Sequence, residues 1–258
     1  MIIVTPVLIA ARNEAGYISQ TLETLSHQLQ AVQPIVIVNG SSDKTAEVAR
    51  KSGVIVIESR EGKLPAIQAG LRYLKERALE PVLILDADSR PLSKRWSKYM
   101  TAQLLSLPTQ KPVIIWGQYV YRGDINLLLA PIFTLARIRV AWTDRHKTRP
   151  RLIRGGNVGL YIKKPQLLKE ILAIENYWPR DDVAIYDSVK RNGGCHKVTF
   201  SPTGWILTSG RRITSTMSSL LKDHRHSSIV MDTTYNDDAP ANSQPYHSKT
   251  TDTMPHIK

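Results

Sequence analysis

Two aspartates two residues apart, Asp86-Ala-Asp88, end the apolar run Pro81-Val-Leu-Ile-Leu85. Residues i and i+2 of an extended segment point to the same side, so both carboxylates leave a buried strand in one direction and can share a divalent cation, Mg²⁺ or Mn²⁺. Such a cation neutralises charge on a departing diphosphate. A second carboxylate pair, Asp181-Asp182, follows Trp178-Pro-Arg180. At a helix start, Asp182 is placed to act as a general base, although acidic residues there also simply cap helices. Arg211-Arg212, after Thr208-Ser-Gly210, and Lys63, after Gly62, supply cations for phosphate oxygens. His196 and His224 are candidate third metal ligands by residue type.

These groups need a frame. Apolar runs rich in Val and Ile predict strands over 2–10, 34–38, 54–58 and 82–85. Ile18, Leu22, Leu25 and Leu29 recur at helical spacing, as do Leu64, Ile67, Leu71 and Leu74, and each set marks a buried helix face. A third helix follows Asp43, whose side chain is the expected N-cap. Alternating strand and helix predicts an α/β fold: a mostly parallel sheet with helices on both faces. Ligands of such sheets bind outside the carboxyl ends of the strands. Those ends read Ala10-Ala-Arg-Asn-Glu14, Asn39-Gly-Ser-Ser-Asp43, Arg60-Glu-Gly-Lys63 and Asp86-Ala-Asp88. In the second half the pattern predicts strands over 113–121 and 157–162, an amphipathic helix over 127–142 and a helix over 182–192. One domain over 1–225 is expected, in two halves that meet near residue 110. Residues 226–258 are rich in Ser, Thr, Asp, Asn and Pro and read as a disordered tail.

Charge narrows the partners. Lys and Arg number 35 against 22 Asp and Glu among 258 residues, a net charge of +13. That balance calls for an anionic partner. Seven Arg and Lys fall between Arg137 and Arg154 against the single Asp144, directly after the apolar segment 126–142. An apolar helix beside a basic run fits contact with an anionic membrane surface. Aromatic interleaving in the run is confined to Trp142, and no nucleic-acid-binding motif is present. With Cys195 alone, no disulfide forms within the chain. The opening apolar stretch reads as a first strand rather than a leader, and no run has the length of a spanning helix. The expected location is cytoplasmic, peripheral to the inner face of the membrane.

In this order the motifs resemble those of the family 2 glycosyltransferases, which have the GT-A fold. The resemblance covers roughly residues 4–212. It rests on Val7-Leu-Ile-Ala-Ala-Arg-Asn-Glu14, on Val38-Asn-Gly-Ser-Ser-Asp-Lys-Thr45, on Gly62-Lys63 with Ala66 and Gly70, and on Asp86-Ala-Asp88. Further on it rests on Arg154-Gly-Gly-Asn-Val-Gly-Leu-Tyr161, Asp181-Asp182 and Thr208-Ser-Gly-Arg-Arg212. It implies an inverting transfer of a hexosyl unit from a nucleoside-diphosphate sugar, uridine diphosphate first among the candidates, to a hydroxyl of a glycan, lipid or small-molecule acceptor. Asp182 would be the base, and Asp86 and Asp88 the Mg²⁺ or Mn²⁺ ligands. Ala11, Arg12, Glu14, Asn39, Lys63, Asp86, Ala87, Arg211 and Arg212 would line the donor. Two positions depart from the family. Val38 stands where an acidic residue often reads the nucleobase, and Asp181 stands where Glu is usual. The competing readings are a sugar-phosphate nucleotidylyltransferase, which would need a glycine-rich loop after the first strand, and a non-enzymatic basic binding or scaffold protein.

Overall fold

The computed structural model describes residues 4–107, 110–122, 129–144, 156–175 and 181–210. Its first half repeats one unit: β1 (Thr5–Ala11), α1 (Ile18–Ser26), β2 (Val32–Asn39), α2 (Thr45–Lys51), β3 (Ile55–Ser59), α3 (Lys63–Leu74) and β4 (Val82–Asp86). Then come β5 (Ser89–Pro91), α4 (Trp96–Leu105), β6 (Val113–Trp116), β7 (Tyr119–Arg122) and α5 (Leu129–Asp144). The chain closes with β8 (Asn157–Tyr161), α6 (Pro165–Leu172), α7 (Asp181–Arg191), β9 (Cys195–Val198) and β10 (Ile206–Ser209). All of this lies in one compact unit, Met1–Thr216, whereas Met217–Lys258, and with it the expected tail, falls outside the described residues.

Seven strands form the main sheet in the order β3-β2-β1-β4-β8-β6-β9. Only β8 runs against the others. Strands covered on both faces read as continuous Val/Ile/Leu runs, and alternate residues then serve opposite cores. Leu8, Ile37 and Ile84 face α3, α6 and α7, while Ile9, Val36 and Leu85 pack with Leu22, Trp96 and Met100 of α1 and α4. A small sheet, β5-β10-β7, stands beside β4.

Several expectations are corrected. Strand β2 starts at Val32, two residues before the expected start at Pro34, which pairs with Val7 of β1 but lies before the first β3 partner, Ile35. A proline is tolerated where one side of the strand has no neighbour. Leu29 is not on the buried face of α1 and is 66% exposed. That helix ends at Ser26, and Gln28 anchors the exit by donating to Ser93 O and accepting from Ser97 N. The single strand expected over 113–121 is two strands in different sheets, broken at Gly117-Gln118. A β-carbon on Gly117 would sit 2.2 Å from Asn157 Nδ2 and 2.4 Å from Gly204 O, so only glycine allows this crossing. Helix α5 is not cleanly amphipathic. Ile132, Leu135 and Trp142 are exposed while Thr134 is buried, because apolar residues surround most of the helix.

Candidate active site at the carboxyl edge

Strands β1, β2, β3, β4 and β6 all end on one edge, and the polar segments that follow them meet there. The first two are sewn together. Asn13, in the left-handed region with φ of 54°, donates its N–H to Ser41 Oγ at 3.1 Å and accepts from Ser42 N at 2.9 Å. Asparagine is one of the few residues that takes this conformation cheaply. Glu14 N donates to Thr45 Oγ1 at 2.8 Å, and Ala15 N donates to Asp43 Oδ2 at 3.1 Å. Asp43 is therefore not the N-cap, which falls on Lys44. It lies one residue earlier, accepts from Thr45 N and the Thr45 hydroxyl, and so ties α2 to the loop entering α1.

Slight desolvation pushes the exposed Asp43 carboxyl up, but hydrogen bonds from Thr45 and Ala15 outweigh it and hold it below its ordinary value of 3.8. A depressed carboxyl adds stability above its unfolded pKa and loses it as pH falls through the folded value. Asp43→Ala should therefore cost about 1 kcal/mol at neutral pH, a capping-type loss. The gap to the native protein should begin to close as the pH falls below 3.8 and be gone once it passes the lower folded value. Urea unfolding of both proteins across that window checks it, and a pH-independent gap would contradict it.

The other predicted donor residues distribute as follows. Ala11 and Ala87 are buried, so either would meet a ligand only through its backbone, and Ala87 O already accepts from the Thr21 hydroxyl. Arg12 pairs with Glu61 at 2.5 Å on the surface. Glu14 is buried, and its carbonyl accepts from Tyr17 N and Ile18 N to start α1. Asn39 donates to Gly62 O at 2.9 Å, which fixes the turn before α3. Its buried Oδ1 has no hydrogen-bond partner among the described residues. Arg211, Arg212 and His224 lie outside the described residues.

The carboxylates sit at the centre. Asp86 is the last residue of β4, and its Oδ1 lies 2.5 Å from Lys63 Nζ, with side chains 34% and 24% exposed. Asp86 N donates to Gly156 O, and a β-carbon at Gly156 would fall 2.5 Å from Asp86 Oδ2. Asp88 Oδ1 accepts from the Thr208 hydroxyl at 3.3 Å, and Thr208 also bonds Ser89 Oγ at 2.9 Å. The pairing of β5 with β10 thus brings the Thr208-Ser-Gly segment onto the Asp86-Ala-Asp88 turn.

Topology places Asp182 on the same edge. Helix α7 leads into β9, whose first residue, Cys195, pairs with Val113 at the start of β6. The helix therefore runs against β6 and begins above its carboxyl end. Tyr186, one turn after Asp182, stacks on Trp116, the last residue of β6, with ring centroids 5.6 Å apart.

Residues 7–128 match the profile described as glycosyl transferase family 2. Over that segment, which holds β1 to β4 and the Asp86-Ala-Asp88 turn, the chain resembles the family. Among curated protein sequences none matches. Solved structures share the fold of this chain. One is glucosyl-3-phosphoglycerate synthase from Mycobacterium tuberculosis with Mn²⁺, uridine diphosphate and phosphoglyceric acid. It is 20% identical with a TM-score of 0.54, over 85% of this chain and 78% of that one. Another is a mannosyltransferase from Pyrobaculum calidifontis with GDP-mannose and Mn²⁺, 17% identical with a TM-score of 0.55 over 86% of this chain. The chain spans 65% of that protein's length.

The donor set at this edge fits a hard cation. Two carboxylates lie two residues apart, and one already accepts the positive charge of Lys63. No group of three His, Cys, Asp or Glu suited to a metal occurs among the described residues. Mg²⁺-type sites of this kind use one or two carboxylates and take the remaining oxygens from phosphates and water. His196 does not complete the set. It lies on β9, three strands from β4 and therefore about 14 Å away, where its ring packs against Trp116 and Tyr186.

Three residues of the quoted motifs take roles at the edge that had not been assigned to them. Gly156 leaves room for the Asp86 carboxylate, Thr208 holds Asp88, and Asn157 holds the strands behind both. The Arg154-Gly-Gly-Asn157 run was the available signal, but its partners lie far off in sequence.

Proposed function

We propose that the chain is a family 2 glycosyltransferase that moves a hexosyl unit, with inversion, from a nucleoside-diphosphate sugar to an acceptor hydroxyl. The observation that carries the reading is the Asp86-Ala-Asp88 turn at the end of β4. It holds Lys63 on one carboxylate and shares its edge with the start of α7. A divalent cation on Asp86 and Asp88 would supply positive charge opposite the departing diphosphate. Lys63 would bind that diphosphate, and Asn39 would offer its Oδ1 to a donor hydroxyl or N–H. Asp182 would take the proton from the attacking hydroxyl as it adds to the anomeric carbon. Val38 is buried at the end of β2 and offers no polar group, so base recognition falls to neighbouring groups, with uridine diphosphate the first to try.

Relatives of this fold carry uridine diphosphate or GDP-mannose with Mn²⁺, which names the probes. Thermal stability should rise with UDP or GDP in the presence of Mn²⁺, by about 2.7 kcal/mol at a hundredfold excess over Kd, and the rise should vanish in Asp88→Ala. Nucleoside diphosphate should then be released from UDP-glucose or GDP-mannose. Formation of pyrophosphate from a nucleoside triphosphate and a sugar phosphate would instead favour a nucleotidylyltransferase. Steeply salt-dependent binding to random DNA without any nucleotide response would favour a binding protein.

The acceptor side carries a further observation. Ile132, Leu135 and Trp142 are exposed on one stripe of α5, with exposed Arg139 among them and the basic run to Arg154 following. No helix among the described residues is long and apolar enough to cross a membrane. An apolar stripe with adjacent cations suits the surface of an anionic bilayer, and a lipid acceptor would be met there. The protein should float with phosphatidylglycerol vesicles and not with phosphatidylcholine, and Trp142→Ala with Leu135→Asp should abolish flotation. Equal behaviour with both lipids would rule the contact out.

A further inference from the structure

Asp86 is held from both sides. Lys63 Nζ lies 2.5 Å from Oδ1, and the Gly156 backbone leaves no room for a side chain beside Oδ2. The Lys63 stem starts α3, whose preceding residue Gly62 is fixed through its carbonyl by Asn39. The nearby Glu61 carboxylate is engaged by Arg12. Any movement of the ammonium is therefore a side-chain swing from a fixed pivot at a helix N-terminus, where an anion is favoured. An ammonium and a divalent cation on one carboxylate oxygen repel each other strongly at this degree of burial. A diphosphate offers the same ammonium more negative charge than Asp86 does.

We propose that Lys63 is a countercation that competes with the divalent metal for Asp86 and is drawn away by the donor diphosphate. The inference rests on the transferase reading and adds to it a coupling between metal and nucleotide. Each ligand raises the affinity for the other, and the Lys63–Asp86 pair is the element that both ligands break. Metal without nucleotide then binds weakly, and cation and donor load together.

The test measures binding and not turnover. Mn²⁺ affinity is read from the free-ion paramagnetic resonance signal, and UDP and GDP affinities by calorimetry in EDTA and in saturating Mn²⁺. Lys63→Gln should bind Mn²⁺ alone about tenfold more tightly, since a repelling charge at close range is gone. The same variant should bind nucleotide in EDTA about tenfold more weakly, having lost a charge-assisted contact. The Mn²⁺-induced gain in nucleotide affinity should shrink with it. Lys63→Arg keeps the charge and should behave as the native protein in the Mn²⁺ titration, and melting curves confirm that both variants fold. Unchanged or weaker Mn²⁺ binding by Lys63→Gln would overturn the competition. Absence of nucleotide binding by the native protein in saturating Mn²⁺ would instead overturn the transferase reading itself.

Discussion

Asp182→Asn should lower donor turnover by about 10²- to 10⁴-fold, the span associated with a positioned general base, while leaving nucleotide binding intact. The expectation comes from the direction of α7. Its far end feeds β9 at the start of β6, so its first turn stands over the carboxyl edge that carries Asp86. Tyr186 fixes the height, because its ring rests on Trp116 at the last position of β6. The body of the helix is anchored by Ile185 and Val189 in the core under α3 and α6. A carboxylate one turn beyond Tyr186 therefore belongs to a rigid element and not to a mobile loop. Asparagine keeps the shape and a capping oxygen, so folding should be unaffected. The assay is nucleoside diphosphate release from the donor that raises thermal stability, with water as acceptor. Asp181→Asn serves as the comparison. A larger loss there than in Asp182→Asn would move the base by one residue, and equal activity of both variants with the native protein would remove α7 from the chemistry.

The edge itself was legible because buried parallel strands advertise themselves. Val7-Leu-Ile, Ile35-Val-Ile and Val82-Leu-Ile-Leu85 have no polar interruption, and a polar residue after such a run can only be at its end. What the polar residues do there was less legible. Asn13, Ser41, Ser42 and Asp43 belong to the polar strand ends read as a ligand edge, yet they and Thr45 spend hydrogen bonds on joining the loop after β1 to the loop after β2. Local periodicity carries no information about pairing between residues 28 positions apart. The same limit hid the small sheet. Ser89-Arg-Pro91 has neither alternation nor β-branched residues and becomes a strand only because β10 pairs with it. Leu29 and His196 failed for the opposite reason. Residue type and spacing were right for a buried helix face and for a metal ligand, but the chain turns after Ser26, and β9 lies three strands from Asp86.

Asn157→Leu should destabilise the fold by about 3–5 kcal/mol, from the cost of stranding buried polar groups, and lower Tm by on the order of 10 °C for a domain of this size. Asn157 is 1% exposed, and its amide is fully spent. Oδ1 accepts from Trp96 Nε1 at 3.1 Å, and Nδ2 donates to Gln118 O at 3.0 Å and Gly204 O at 2.9 Å. Its backbone carbonyl takes Gly117 N at 3.0 Å. One side chain thus joins β8 to α4, to the crossing between the two sheets and to the turn that leads into β10. Leucine fills a similar volume, so the loss is one of hydrogen bonds and not of packing. Trp96→Phe separates the contributions, since it removes the indole N–H and retains an aromatic ring in the core. It should cost about 1 kcal/mol, in the range of one hydrogen bond, and the excess in Asn157→Leu then belongs to the two carbonyls. Those carbonyls flank Gly117 and the start of β10, so their release should loosen the strand that carries Thr208 onto Asp88. Asn157→Leu should accordingly weaken Mn²⁺-dependent nucleotide binding even at temperatures where the fold is intact, whereas Trp96→Phe should not. Urea unfolding paired with nucleotide titration measures both effects. A stability cost below about 1 kcal/mol for Asn157→Leu would mean that water replaces the amide, and the link from β8 to the carboxylate turn would have to run through Gly156 alone.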